Sequence, residues 1–227
     1  MKLYFDCTSG VSSDMILNAL TALGADTGAA QSLRIEEEGH SQHSHGGHVH
    51  AYHHSHRSHR EIRRLIEESE LPQPVKDIMC SIYLVIARAE AKVHESDVEN
   101  VHFHEVGRPQ AIRNIAGIAA GLEDLGVQEI LCSELHDGKG FIECSHGRIP
   151  VPVPAVMAMR ETCDYVFATE DIETEMVTPS GLGVLMGIGA KYTEDMPRGR
   201  VVKTAVAKGG RDTGKEGLKA FLIEEGE

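Results

Sequence analysis

The chain has 227 residues, 41% of them hydrophobic, and a formal net charge of −13 with histidine neutral. That is enough apolar material for one or two packed domains, while the acidic balance and the lack of any Lys/Arg block exclude nucleic acid and anionic membrane surfaces as expected partners. Aromatic residues are only 4%, with no tryptophan, so the core must be built from Ala, Val, Ile, Leu and Met.

Residues 2–5 form a short apolar strand candidate that runs into the turn Asp6-Cys7-Thr8-Ser9-Gly10. A helix is expected from about Ser13, carrying Ile16, Leu17, Leu20 and Leu23 and ended by Gly24. Residues 25–60 lose all periodicity and become Gly-, Ser- and His-rich, which reads as a disordered insertion, centred on residues 39–60. A polar helix follows over 61–70, closed before Pro72. From Val75 the positions Ile78, Met79, Ile82, Ile86, Ala89 and Val93 keep helical spacing. Ser96-Asp97-Val98-Glu99 fits a capping box, and 111–125 is a further helix with Gly126 as its C-cap. Residues 128–154 read as strands and tight connections, closed by Pro150, Pro152 and Pro154. Thr178-Pro179 suits a helix start. That helix carries Gly181, Gly183 and Gly187, each costing about 1 kcal/mol relative to Ala, which makes sense where a backbone or ligand comes close. Residues 201–206 and 219–224 are strand candidates around the turn Gly209-Gly210-Arg211-Asp212. The fold class expected is α+β, a helical first half packed on a mixed or antiparallel sheet from the second half, in a single domain.

No apolar run approaches the roughly 18 residues that span a bilayer, and the start MKLYFDCTSG turns polar too soon for a signal peptide. Five cysteines, odd in number, widely spaced and without a C-x-x-C pair, fit a reducing cytoplasm.

Four stretches could carry chemistry. Residues 40–59 hold nine histidines in twenty positions: His40, His43, His45, His48, His50, His53, His54, His56 and His59. Imidazole is a good ligand for nickel, copper and zinc, and an internal, interrupted run is unlike a tag. Composition names neither the metal nor its purpose. Residues 101–107 read VHFHEVG, where His102 and His104 face one side if the segment is extended. With Glu105 they suit a divalent metal or general acid/base work; a His packed beside the next helix is the other reading. Residues 6–14, DCTSGVSSD, lead from a strand end through Ser9, Gly10 and Ser12 to Asp14 at a helix start. This shape binds anions, though an ordinary strand–turn–helix corner has it too. Finally, Cys144 and His146 have a spacing that could ligate metal, and Arg148 could clamp a carboxylate or phosphate; a buried Cys beside a turn His is the other reading.

Taken together, these stretches resemble the nickel-insertion family that completes the nickel-pincer nucleotide cofactor. The resemblance runs along nearly the whole chain. It rests on DCTSGVSSDM, the His-rich insertion, EAKVHESDVENVHFHEVG, CSELHDGKGFIECSHGRIPVPVPA, EMVTPSG and GGRDTG, in that order. It implies a cytoplasmic nickel metallochelatase, a lyase that inserts Ni²⁺ into a bis-thiocarboxylated pyridinium mononucleotide with CTP consumed. His102, His104 and Glu105 are then expected at the reacting end. Asp6, Ser9, Gly10, Ser12, Asp14, Arg148, Thr178, Ser180 and Gly181 are expected to hold the precursor, and the His tract to collect metal. The sequence departs from the family pattern at Gln110 and Asn114, where Asp is usual, and at Ser13, where Gly is usual. The family's CTP-associated second domain is expected to be absent, as in a fragment, a natural separate subunit or a divergent member, with CTP bound by that domain or by a separate polypeptide. A homo-oligomer is left open. A non-catalytic nickel or zinc storage or sensing protein is the alternative of a different class.

Overall fold

The computed structural model describes residues 1–28, 31, 33–35, 57–144 and 147–225, and in it the short apolar run near the start becomes the middle strand of the sheet. The elements are β1 (Lys2–Asp6), α1 (Ser13–Ala22), β2 (Arg57–Ser58), α2 (His59–Glu68), α3 (Gln73–Val93), β3 (His102–Phe103), α4 (Pro109–Leu125), β4 (Glu129–Cys132) and β5 (Leu135–Asp137). They continue as β6 (Phe141–Cys144), β7 (Gly147–Pro150), α5 (Pro154–Arg160), β8 (Phe167–Thr169), α6 (Pro179–Gly187), β9 (Lys191–Tyr192), β10 (Arg200–Ala207) and β11 (Leu218–Glu224).

The five-stranded sheet has the order β10-β11-β1-β4-β9. β1 pairs antiparallel with β11 and parallel with β4, so Phe5 lies between Ala220 and Cys132. The sheet is mixed and the class is α+β, as expected. Alternation sends Leu3 and Phe5, both fully buried, to the helix side, and Tyr4 to a small cluster with Leu131 and Ile223 on the other. The helical layer is organised by α3, which touches α2, α4, α5 and α6. Among the described residues no helix is long and apolar enough to cross a membrane.

Several expectations need correction. Residues 57–60 do not belong to a disordered insertion. They form β2 and the start of α2, where Ser58 and Glu61 make a reciprocal capping box. His59 is 3% exposed, edge-on to Phe103, with Nδ1 3.1 Å from the Val98 carbonyl oxygen. It is packed core and not part of a metal-collecting tract. Ala25, Leu33 and Ile35 are likewise buried in the core. Loss of periodicity over 25–60 hid them, because isolated apolar residues can anchor a loop without any repeat. The histidines at 40–56 lie outside the described residues. Ser96 makes no capping box; Asp97 instead accepts from the amides of Glu99 and Asn100. Helix α5 was not expected. Its Pro154 occupies the first turn, where the missing N–H costs nothing.

The glycines of α6 have a packing cause. A Cβ on Gly183 would lie 2.4 Å from Cγ1 of Ile86, and one on Gly187 would lie 2.5 Å from Cα of Ile82. Spaced four apart on one helical face, they let the backbones of α6 and α3 close together, running antiparallel. Gly187→Ala is expected to destabilise the protein by roughly 1–3 kcal/mol through overpacking against backbone that cannot yield. For a domain of this size that is a fall in Tm of about 2–4 °C per kcal/mol. An unchanged thermal melt would show that the seam has slack.

Candidate functional site

A cleft of about 930 Å³ opens where the first turns of α1, α4, α5 and α6 meet the end of α3 and the 208–217 turn. Its floor is made by two loops that share backbone hydrogen bonds. The Val11 amide donates to the Met176 carbonyl at 2.9 Å, and the Thr178 amide donates to the Val11 carbonyl at 3.0 Å. Gly10, at φ +85°, leaves no space for a side chain, since a Cβ would sit 2.4 Å from the Met176 oxygen.

That floor is set from behind by Asp137, which is fully buried. One carboxylate oxygen accepts from the amides of Gly138, Met176 and Val177 at 2.8–3.1 Å, and the other accepts from Arg160 of α5 at 2.8 Å. Arg160 lies over the Phe167 ring at 4.1 Å. Burial of this kind is stable only when the charge is fully paired, as here.

The side of the cleft bounded by helix N-termini carries Ser9, Ser12, Ser13 and Asp14 from α1, and Thr178 and Ser180 from α6. Ser12 caps α1 by accepting from Met15, and Thr178 caps α6 by accepting from Gly181. Each helix start carries roughly half a positive charge and favours anions. Arg108 at the start of α4 and Lys208, Arg211 and Lys215 of the turn add formal positive charge around it. Asn114, 6% exposed, donates to Asp14 and accepts from Gln110 at 2.8 Å. Amides at 110 and 114 thus leave Asp14 the one carboxylate in this chain of hydrogen bonds.

The lining also carries His104, Glu105, His94 and Glu90. The rings of His94 and His104 are 6.1 Å apart between centres, and Nε2 of His94 lies 3.4 Å from a Glu90 oxygen. Burial raises the Glu90 carboxyl above its ordinary range, and His94 opposes that shift. Among the described residues no group of three or more His, Cys, Asp and Glu side chains is placed to hold a metal ion.

Most of the residues expected to bind do reach the cleft: Ser9, Ser12, Asp14, His104, Glu105, Thr178 and Ser180 line it. Others do not. β3 ends at Phe103 and the chain bends at His104, so the alternation that would place His102 beside His104 stops short; His102 is exposed outside the lining. Asp6 is occupied in its own turn, accepting from the Thr8 amide and hydroxyl. Gly181 packs its backbone on Val11. Arg148 lies over the Phe141 ring at 4.3 Å, whereas its neighbour Ile149 and the facing Ile142 point into the cleft. His146 lies outside the described residues.

The sequence reading missed Glu90, His94, Arg108, Glu175, Lys208, Arg211 and Lys215. His94 lay within the quoted stretch EAKVHESDVENVHFHEVG and Arg211 within GGRDTG. Glu175 is the first residue of EMVTPSG.

Glu175 is 4% exposed and accepts a hydrogen bond from Arg211. Burial pushes its carboxyl up to about 7, although Arg211 pulls the other way; Asp137 and Glu105 add to the rise. Folding therefore favours its protonated form. The stability this brings is complete below an unfolded value near 4.3 and is lost as pH rises through about 7. Glu175→Gln is expected to gain on the parent protein between pH 5 and pH 8, on the order of 2 kcal/mol. Urea unfolding of both proteins at the two pH values measures this. An equal difference at both would show the carboxylate ionised throughout.

The sequence itself matches known proteins along nearly its whole length. A family model described as nickel insertion protein fits residues 3–227. The chain belongs to that family. It is 40% identical over 246 residues to the pyridinium-3,5-bisthiocarboxylic acid mononucleotide nickel insertion protein of Acetivibrio thermocellus, covering 94% of this chain and 58% of the relative. The protein of the same description from Lactiplantibacillus plantarum is 37% identical over 262 residues, covering 98% and 61%. One from Desulfitobacterium hafniense is 35% identical over 235 residues, covering 98% and 58%. The chain thus spans about three-fifths of the length of these relatives. No solved structure matches it.

Proposed function

We propose that this chain carries the nickel-insertion part of a metallochelatase, a lyase by class, acting in the cytoplasm on a pyridinium-3,5-bisthiocarboxylic acid mononucleotide. The observation that carries the reading is the mixed lining of the cleft, which brings together the positive ends of α1, α4 and α6, the cations Arg108, Lys208 and Arg211, and the side chains of His104, Glu105 and His94.

A mononucleotide with two thiocarboxylates is strongly anionic, and Ni²⁺ is a borderline cation with affinity for imidazole nitrogen and for sulfur. In this reading Ser9, Ser12, Thr178 and Ser180 donate hydroxyl hydrogen bonds to the precursor, and the basic turn neutralises its charge. Ile142, Ile149 and Val153 supply an apolar wall for the flat ring. His104 and Glu105 receive the metal, which the histidines at 40–56 collect from solution. CTP is used by a separate polypeptide or by chain equivalent to the remainder of the longer relatives.

The test combines purified protein, precursor, Ni²⁺, CTP and a CTP-binding partner, with nickel in the nucleotide read by mass spectrometry. His104→Ala is expected to lower the rate on the order of a hundredfold with an unchanged melting curve. Full activity in a folded His104→Ala protein would remove His104 from the reaction. Tight nickel binding without nucleotide metallation under any condition would favour a storage or sensing protein instead.

A further inference from the structure

The cleft holds an ion pair whose two halves differ sharply in burial, and it carries a more specific statement that rests on the nickel-insertion reading. The side chain of Glu175 is 4% exposed, whereas that of Arg211 is 40% exposed, and both line the cleft. We propose that Arg211 is an exchangeable latch: in the free protein it holds the Glu175 carboxylate, and when the mononucleotide enters it moves onto the nucleotide phosphate, leaving Glu175 to take a proton from solvent.

The two residues are mounted differently. Glu175 directly precedes Met176 and Val177, whose amides are held by Asp137, so its backbone belongs to the fixed floor. Arg211 belongs to the connection between β10 and β11, residues 208–217, which contains Gly209, Gly210, Gly214 and Gly217. A Cβ on Gly210 would meet nothing within 4 Å, so the chain just before Arg211 has open space around it. The same turn lies against the start of α1, where a Cβ on Gly209 would be 3.3 Å from Oγ of Ser12. A phosphate beside Ser12 is therefore within reach of the long arginine two residues further on. The guanidinium has five N–H donors in one plane. Nη1 serves Glu175, and the planar fork matches a phosphate bidentately.

Taking the guanidinium away from a buried carboxylate ordinarily leaves an uncompensated charge. Glu175 avoids this. Burial pushes its carboxyl up to about 7 against the pull of Arg211, and Asp137 of β5 and Glu105 of the bend after β3 add to the rise. Loss of Arg211 raises it further, so near neutral pH the carboxyl is protonated as the arginine leaves. The charges balance: phosphate replaces carboxylate as the counter-ion of Arg211, and one proton passes from water to Glu175. The carboxylate keeps the arginine's place in the cleft, and a nucleoside without phosphate leaves the latch shut.

The experiment titrates the full chain with the precursor alone, without Ni²⁺ or CTP, by calorimetry in buffers of different ionisation enthalpy. Between pH 7 and pH 8 the nucleotide phosphate is already a dianion, so its own titration does not intrude. Binding is expected to take up most of one proton per nucleotide at pH 8, and the affinity to fall about fivefold from pH 7 to pH 8. Glu175→Gln should abolish both effects and bind at least fivefold tighter than the parent at pH 8. Arg211→Gln should bind more weakly at pH 7 and take up no proton. Binding without proton uptake in the parent, uptake that persists in Glu175→Gln, or weaker binding in that variant overturns the proposal, since the ion pair would then stay intact around the ligand. The parent measurement stands whether or not a variant folds. Sulfate, whose charge is constant over this range, separates the two readings. If sulfate binds with Glu175-dependent proton uptake and the precursor does not bind, the latch stands and the nickel-insertion reading fails. If the precursor binds and is metallated without proton uptake at Glu175, insertion stands and the latch fails. Binding of neither overturns the latch.

Discussion

Asp137 is the constraint on which the cleft depends. A carboxylate without any solvent contact has to be satisfied entirely by protein, and this one is satisfied by three amides and a guanidinium from three separate parts of the chain. Those partners fix the end of β5, the face of α5 and the segment before α6. The segment in turn places Glu175 and Met176 on the cleft wall and hands the chain to the Thr178 cap. Helix α6 therefore starts where it does because a charge buried forty residues earlier in sequence leaves its preceding loop one arrangement.

Much of this fold was legible where one physical signal dominates. The 3.6-residue spacing gave α1, α3 and α4, the αL glycine at 126 marked the end of α4, and Thr178-Pro179 marked the start of α6. What failed were elements whose cause lies elsewhere in space. His59 and Arg60 looked like the tail of a histidine-rich stretch because composition averages over neighbours; only the pairing of β2 with β3 makes them the first turn of a helix. Helix α5 is short, and the three alternating prolines that lead into it, Pro150, Pro152 and Pro154, resembled a closing loop.

The candidate site divides the same way. Hydroxyl residues at helix caps were found because the cap is a local structure with a local sequence. The basic side chains of the 208–215 turn reach the cleft through the β10–β11 hairpin, a route that no local pattern reveals. His94 was not singled out; it meets His104 only because the chain returns ten residues later. Arg148 and His102 were assigned by sequence neighbourhood, and in both cases strand geometry turned the side chain away.

The glycine seam between α3 and α6 also acts as a gauge. The two helices run antiparallel, so one end of the pair presents a positive terminus beside a negative one, with Thr178 on the first and His94 on the second. Their lateral separation is set by the absence of two methyl groups, at Gly183 and Gly187. Any side chain there would spread the helices and alter the span between the two ends. The distance between the charged extremes that a bound molecule can bridge is therefore written into residues packed between the helices away from the cleft, none of which lines it.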